Sequence, residues 1–176
     1  MRCEVWALGC LTCLLALLPA RVRAYEDQAT LGFAAGYAGM PQSDALPANG
    51  LDFAFSVGGG FGDAWNIQGL LSHNLYFGEP NLHMSMAGLE TVYALDIVRF
   101  VPLIGFGLDG ILSVRERRAR GDFALHALLG FDFLINPRWL VGADVRGFWV
   151  TTNARSPLDA FILTAALRAG VRFDLR

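Results

Sequence analysis

Eight ionisable residues carry most of the chemistry open to this 176-residue sequence: the acids Glu90, Asp109, Asp132 and Asp144, the cations Arg146, Arg168 and Arg172, and His126 as a fourth possible cation. All lie inside largely apolar runs. A charge withdrawn from water is costly unless it finds a partner, so the expectation is a mutually paired network. A second use of the same residues would be a narrow path for ions or water. The tripeptide His83-Met84-Ser85 could let an imidazole activate a hydroxyl. The run Arg115-Glu116-Arg117-Arg118-Ala119-Arg120 offers Arg115, Arg117, Arg118 and Arg120 for bidentate contact with phosphates. Two other signals carry no chemistry. Gly105-Phe106-Gly107-Leu108-Asp109-Gly110 spells G-x-G-x-x-G, but a dinucleotide site needs a helix immediately after it, and here an alternating run continues. His73, His83 and His126 lack the spacing of a metal site, so neither metal nor cofactor is expected.

The elements that must hold these residues have a period of two. Eight alternating runs cover residues 29–38, 51–61, 65–76, 85–95, 101–113, 122–135, 139–150 and 160–175. Each is at least as long as the 9–11 residues with which a tilted strand crosses a bilayer. In the last run Phe161, Leu163, Ala165, Leu167, Ala169, Val171, Phe173 and Leu175 share one side, with Arg168, Gly170 and Arg172 between them. A helix would instead bring residues three and four apart together. The connections alternate as well. Those at 62–64, 96–100 and 136–138 are short, whereas 39–50, 77–84, 114–121 and 151–159 are longer and more polar. This predicts an all-β, eight-stranded antiparallel up-and-down barrel, with the short turns on the periplasmic side.

Which side faces inward follows from composition. The polar side of each run carries the ionisable residues and many of the 20 glycines. Small residues suit the cramped interior of an eight-stranded barrel and leave room for a few long side chains. A soluble barrel would show the reverse, a broad charged exterior. Aromatic residues sort to the strand ends: Phe61, Trp65, Phe100, Phe133, Trp139 and Phe173 near the short turns, and Tyr37, Phe53, Tyr76, Phe77, Phe123, Trp149 and Phe161 near the long ones. Two such belts predict a transmembrane barrel with its apolar face in lipid.

The start of the chain sets the compartment. Arg2, an apolar run over 5–20 and Val22-Arg23-Ala24 predict a signal peptide over 1–24, cleaved after Ala24, with a barrel domain over 25–176. Cys3, Cys10 and Cys13 all fall in that leader, so the mature chain is expected to form no disulfide. After residue 24 no stretch reaches the 18 or more apolar residues of a spanning helix. The net charge of −2 and the lack of a basic face long enough to track phosphates argue against a nucleic-acid partner.

Gly88-Leu89-Glu90 through Arg99-Phe100-Val101-Pro102-Leu103-Ile104-Gly105-Phe106-Gly107 resembles the strand–turn–Pro–strand–Gly pattern of small outer-membrane β-barrels of the OmpA/OmpX type. Arg168, Gly170, Phe173 and Leu175 resemble the assembly signal of such barrels, although the sequence ends in Arg176 instead of an aromatic residue. The resemblance implies a Gram-negative outer-membrane location and delivery by the barrel-assembly machinery. It also implies contact with membrane lipid and lipopolysaccharide, and a structural or surface-interaction role around a side-chain-plugged, at most porin-like lumen. His83-Met84-Ser85 is similar to the His-x-Ser pair of outer-membrane lipid A deacylases. That family needs an orienting acid, however. Glu90 has inward parity and Asp96 lies at the opposite rim, so no enzyme and no catalytic residue is expected.

Overall fold

The structure is a computed structural model that describes residues 28–41, 47–61, 64–79, 81–95, 99–115, 118–151 and 161–175. The leader expected over 1–24 lies outside the described residues. Eight strands follow one another: β1 (Gln28–Gly39), β2 (Asn49–Phe61), β3 (Trp65–Tyr76), β4 (Leu82–Ala94), β5 (Phe100–Arg115), β6 (Arg118–Leu134), β7 (Trp139–Val150) and β8 (Phe161–Asp174). Each pairs antiparallel with the next, and β8 closes on β1 to complete a barrel. Closure satisfies every strand edge, which a sheet in hydrocarbon requires because lipid offers no hydrogen bonds.

The register gives the dimensions. Stepping from partner to partner around the wall, Trp65 leads through Tyr93, Ile104, Leu129, Val145, Ala165, Tyr37 and Leu51 to Leu75. The circuit therefore returns to β3 ten residues along (65 to 75). With strand spacing and rise at their usual values, that stagger tilts the strands by about 40° and lifts the chain about 2.5 Å per residue along the barrel axis. Trp139 and Trp149 on β7, and Phe133 and Phe123 on β6, are also ten residues apart and mark two levels about 25 Å from each other. That is the height of the apolar girdle of a transmembrane barrel.

Alternation sorts the side chains with little exception. Phe33, Phe55, Ile67, Leu71, Leu89, Ile104, Phe106, Leu108, Leu129 and Leu167 are exposed, while Glu90, Asp109, His126, Asp132, Asp144, Arg146, Arg168 and Arg172 are buried. An interior of charges within an exterior of leucine and phenylalanine inverts the soluble arrangement and identifies hydrocarbon as the outer solvent.

Three expectations change. Tyr76 is not in the upper belt; its even position on β3 turns it inward, where it is 3% exposed within an apolar cluster. The expected loop 114–121 is mostly strand, because β5 and β6 stay paired out to Arg115 and Arg118. β4 begins at Leu82, which shortens the connection expected over 77–84. The turn at 136–138 is as short as expected. It is closed by Asn136, whose side-chain oxygen accepts from the backbone N–H groups of Arg138 and Trp139, both at 2.9 Å.

Candidate functional site

Inside the wall the ionisable residues form a connected chain of contacts. His126 lies between two carboxylates, its Nδ1 against Asp109 and its Nε2 2.9 Å from Glu90. An imidazole in that position satisfies both acids only by donating from both nitrogens. Glu90 also accepts from Arg146, at 3.1 Å through Nη2 and 3.4 Å through Nε. Arg146 Nη1 donates to Asp144. Arg168 continues the series, 3.2 Å from Asp132 and 4.0 Å from Asp144. Arg172 is buried near the lower end. Seven residues from β4 to β8 are thus linked in one relay, and the Glu90–Arg146 pair crosses the lumen between strands that are not neighbours in the wall.

Glycines make room for this chain. Glu90 on β4, Gly107 on β5 and His126 on β6 stand side by side. A Cβ on Gly107 would lie 2.4 Å from the Leu89 carbonyl and 2.6 Å from the His126 ring. Gly88 makes the same allowance for Asp109, and Gly142 for Asp132. Gly88, Gly107 and Gly142 therefore mark points where a charged neighbour leans across the sheet.

Above and below the relay lie two apolar clusters, which share the lumen with the buried polar residues Asp52, Asn74, Ser113 and Asp122 above and Arg172 below. At the long-loop end Ala38, Met40, Tyr76, Leu82, Met84, Met86, Ile111, Ala124, Phe148 and Ile162 pack into one buried cluster. Phe148 reaches the relay itself, its ring 5.1 Å from that of His126. Toward the short turns Val92, Ala94, Val101, Leu103 and Leu128 form a second cluster. Between them a cavity of about 10 Å³ touches Gly32, Ala34, Ala54, Ser56, Asp144, Arg146 and Arg168. It has room for about one water.

Sequence reasoning missed two acids and one pair. Asp52 and Asp122 are inward and buried; their parity was readable, but each lies close to a loop. On the outer wall Ser85 is bonded to His73, at 2.9 Å from Nδ1 to Oγ, and not to His83. The partner is set by the β3–β4 register, which pairs His73 with Ser85. At the upper rim Arg115 on β5 and Arg118 and Arg120 on β6 share the inward parity of Ser113 and Asp122, so they line the mouth and do not face the lipid. Arg120 pairs with Asp122 at 3.3 Å. Arg117 lies outside the described residues. Of the expected assembly signal, Phe173 and Leu175 are exposed, Gly170 is buried, and Arg168 is held in the relay.

A closed eight-stranded antiparallel wall, an apolar girdle about 25 Å high and a charged interior define a transmembrane β-barrel of the kind found in Gram-negative outer membranes. Known structures share the fold. Neisserial surface protein A superposes with a TM-score of 0.65 at 16% identity, over 85% of this chain and 97% of that one. The N-terminal barrel domain of Pseudomonas aeruginosa OprF gives 0.58 at 15% identity, over 84% and 98%. Ail, the attachment invasion locus protein of Yersinia pestis, gives 0.52 at 18% identity, over 84% and 99%. Ail has also been solved with the heparin analogue sucrose octasulfate. No protein-family model matches the sequence, and no curated protein matches it either.

Proposed function

We propose that this chain is a structural and surface-interaction protein of the outer membrane, exported with the leader 1–24 removed, whose lumen stays shut. The observation that carries this reading is the apolar cluster around Met84 and Phe148 sitting above a relay in which each charge has a partner. An apolar constriction excludes water, and ions with it. The purified barrel in a planar bilayer is expected to give no discrete conductance steps. Steps whose size changes in Arg146→Gln or Arg168→Gln would instead establish a narrow ion channel.

The surface role falls to the β5–β6 hairpin. Its Arg115, Arg118 and Arg120 present guanidinium groups around the mouth, suited to phosphate or sulfate groups of a glycan such as lipopolysaccharide. The sucrose octasulfate bound by Ail supports a polyanion as the ligand class.

A further inference from the structure

We propose that His73, His83 and Ser85 form a docking site for the phosphate of an outer-leaflet lipid headgroup. The inference rests on the lipid-facing assignment of this wall. Among the described residues, the outward side of the eight strands is glycine, alanine, proline, aliphatic or aromatic except at these three positions, at Thr91 and, on the upper rim, at Asn49. Three of the five exceptions touch one another. His73 Nδ1 lies 2.9 Å from Ser85 Oγ, and the rings of His73 and His83 are 5.9 Å apart. All three residues are exposed.

Their depth identifies the lipid group they meet. His73 lies eight residues above Trp65 on β3, which is about 20 Å up a girdle about 25 Å high. That level is the junction of acyl chains and headgroups, where lipid phosphates and esters begin. The flanking strands offer Leu51 and Phe53 on one side and Leu112 and Val114 on the other. The carboxylates of these strands among the described residues, Asp52, Glu90 and Asp109, are buried on the inward side, and Glu79, in the β3–β4 connection, is the nearest acid along the chain. Imidazole N–H groups and a hydroxyl all donate, and a phosphate accepts. The same geometry disfavours acyl transfer. Among the described residues no acid orients His73, and the surrounding backbone N–H groups are committed to the strand ladder, leaving none to hold an oxyanion.

The test uses the folded protein in a phosphate-free neutral detergent, with folding verified by heat-modifiable gel mobility. Dioctanoyl phosphatidic acid is titrated while the side-chain resonances of His73 and His83 are followed. Saturable shifts of both rings are expected. His73→Phe/His83→Phe, which leaves the girdle aromatic, is expected to weaken binding at least tenfold, and inorganic phosphate to bind far more weakly than the lipid. Equal binding by the double variant, or equal shifts from dioctanoylglycerol, would overturn the proposal. So would inorganic phosphate matching the lipid, or rings that respond to Zn²⁺ and not to phosphatidic acid. Fatty-acid release abolished by Ser85→Ala would replace docking with hydrolysis.

Discussion

At the residue scale the lumen is governed by the cost of isolating a charge. Arg146 is 4% exposed and neutralises both Glu90 and Asp144. Truncating it leaves two buried carboxylates without that partner, and Arg146→Ala is expected to destabilise the barrel by about 3–5 kcal/mol, measured by urea unfolding in detergent. Removing the Glu90 and Arg146 charges together, as Glu90→Gln/Arg146→Met, should cost less than Arg146→Ala, because only Asp144, and no longer Glu90 as well, is then left without that cation. Gly107 contributes by what it lacks. Gly107→Ala pushes a methyl into the Leu89 carbonyl and the His126 ring, so a loss of about 1–3 kcal/mol is expected in the same measurement. Parity alone showed that these residues point inward. It could not show that Glu90 meets Arg146, 56 positions away, because that contact depends on how the wall is staggered.

At the element scale the strands were readable and the connections less so. Runs at 65–76 and 139–150 coincide with β3 and β7, since Pro137, Gly78 and the polar breaks around them interrupt the alternation sharply. The β5–β6 connection misled for the opposite reason. Its arginines look like a solvated loop, yet cross-strand pairing continues through them to Arg115 and Arg118. The hairpin therefore stands above the upper aromatic level as a ladder with its arginines on the mouth side. Replacing Arg115, Arg118 and Arg120 together by Ser is expected to weaken sucrose octasulfate binding at least tenfold in calorimetry and to flatten its salt dependence. Unchanged affinity in the triple variant would remove the hairpin from the binding surface. Tyr76 shows the converse limit: belt membership was assigned by nearness to a strand end, but one step of parity decides between lipid and lumen.

For the whole molecule, the inverted distribution of polarity predicts behaviour no soluble barrel shares. Leu167 is 74% exposed, midway between the Phe161 and Phe173 levels. Leu167→Arg is expected to cost about 2–4 kcal/mol, as an arginine at the bilayer midplane does, whereas the same change on a soluble surface would cost almost nothing. On gels the folded chain should migrate apart from the boiled one. Recovery in the soluble fraction with a single unshifted band would be incompatible with the membrane placement.

The amino-acid order on its own determined the number of strands, the class of fold and the side of each strand that meets lipid, because all three follow from a local period of two and from the turns that interrupt it. The stagger of ten residues, the relay from Asp109 to Asp132, the apolar cluster over it and the pairing of His73 with Ser85 were decided only by tertiary structure. Each needs strands distant in sequence to be set at a particular height against one another. A two-residue repeat carries no information about that height, which closure of the barrel imposes.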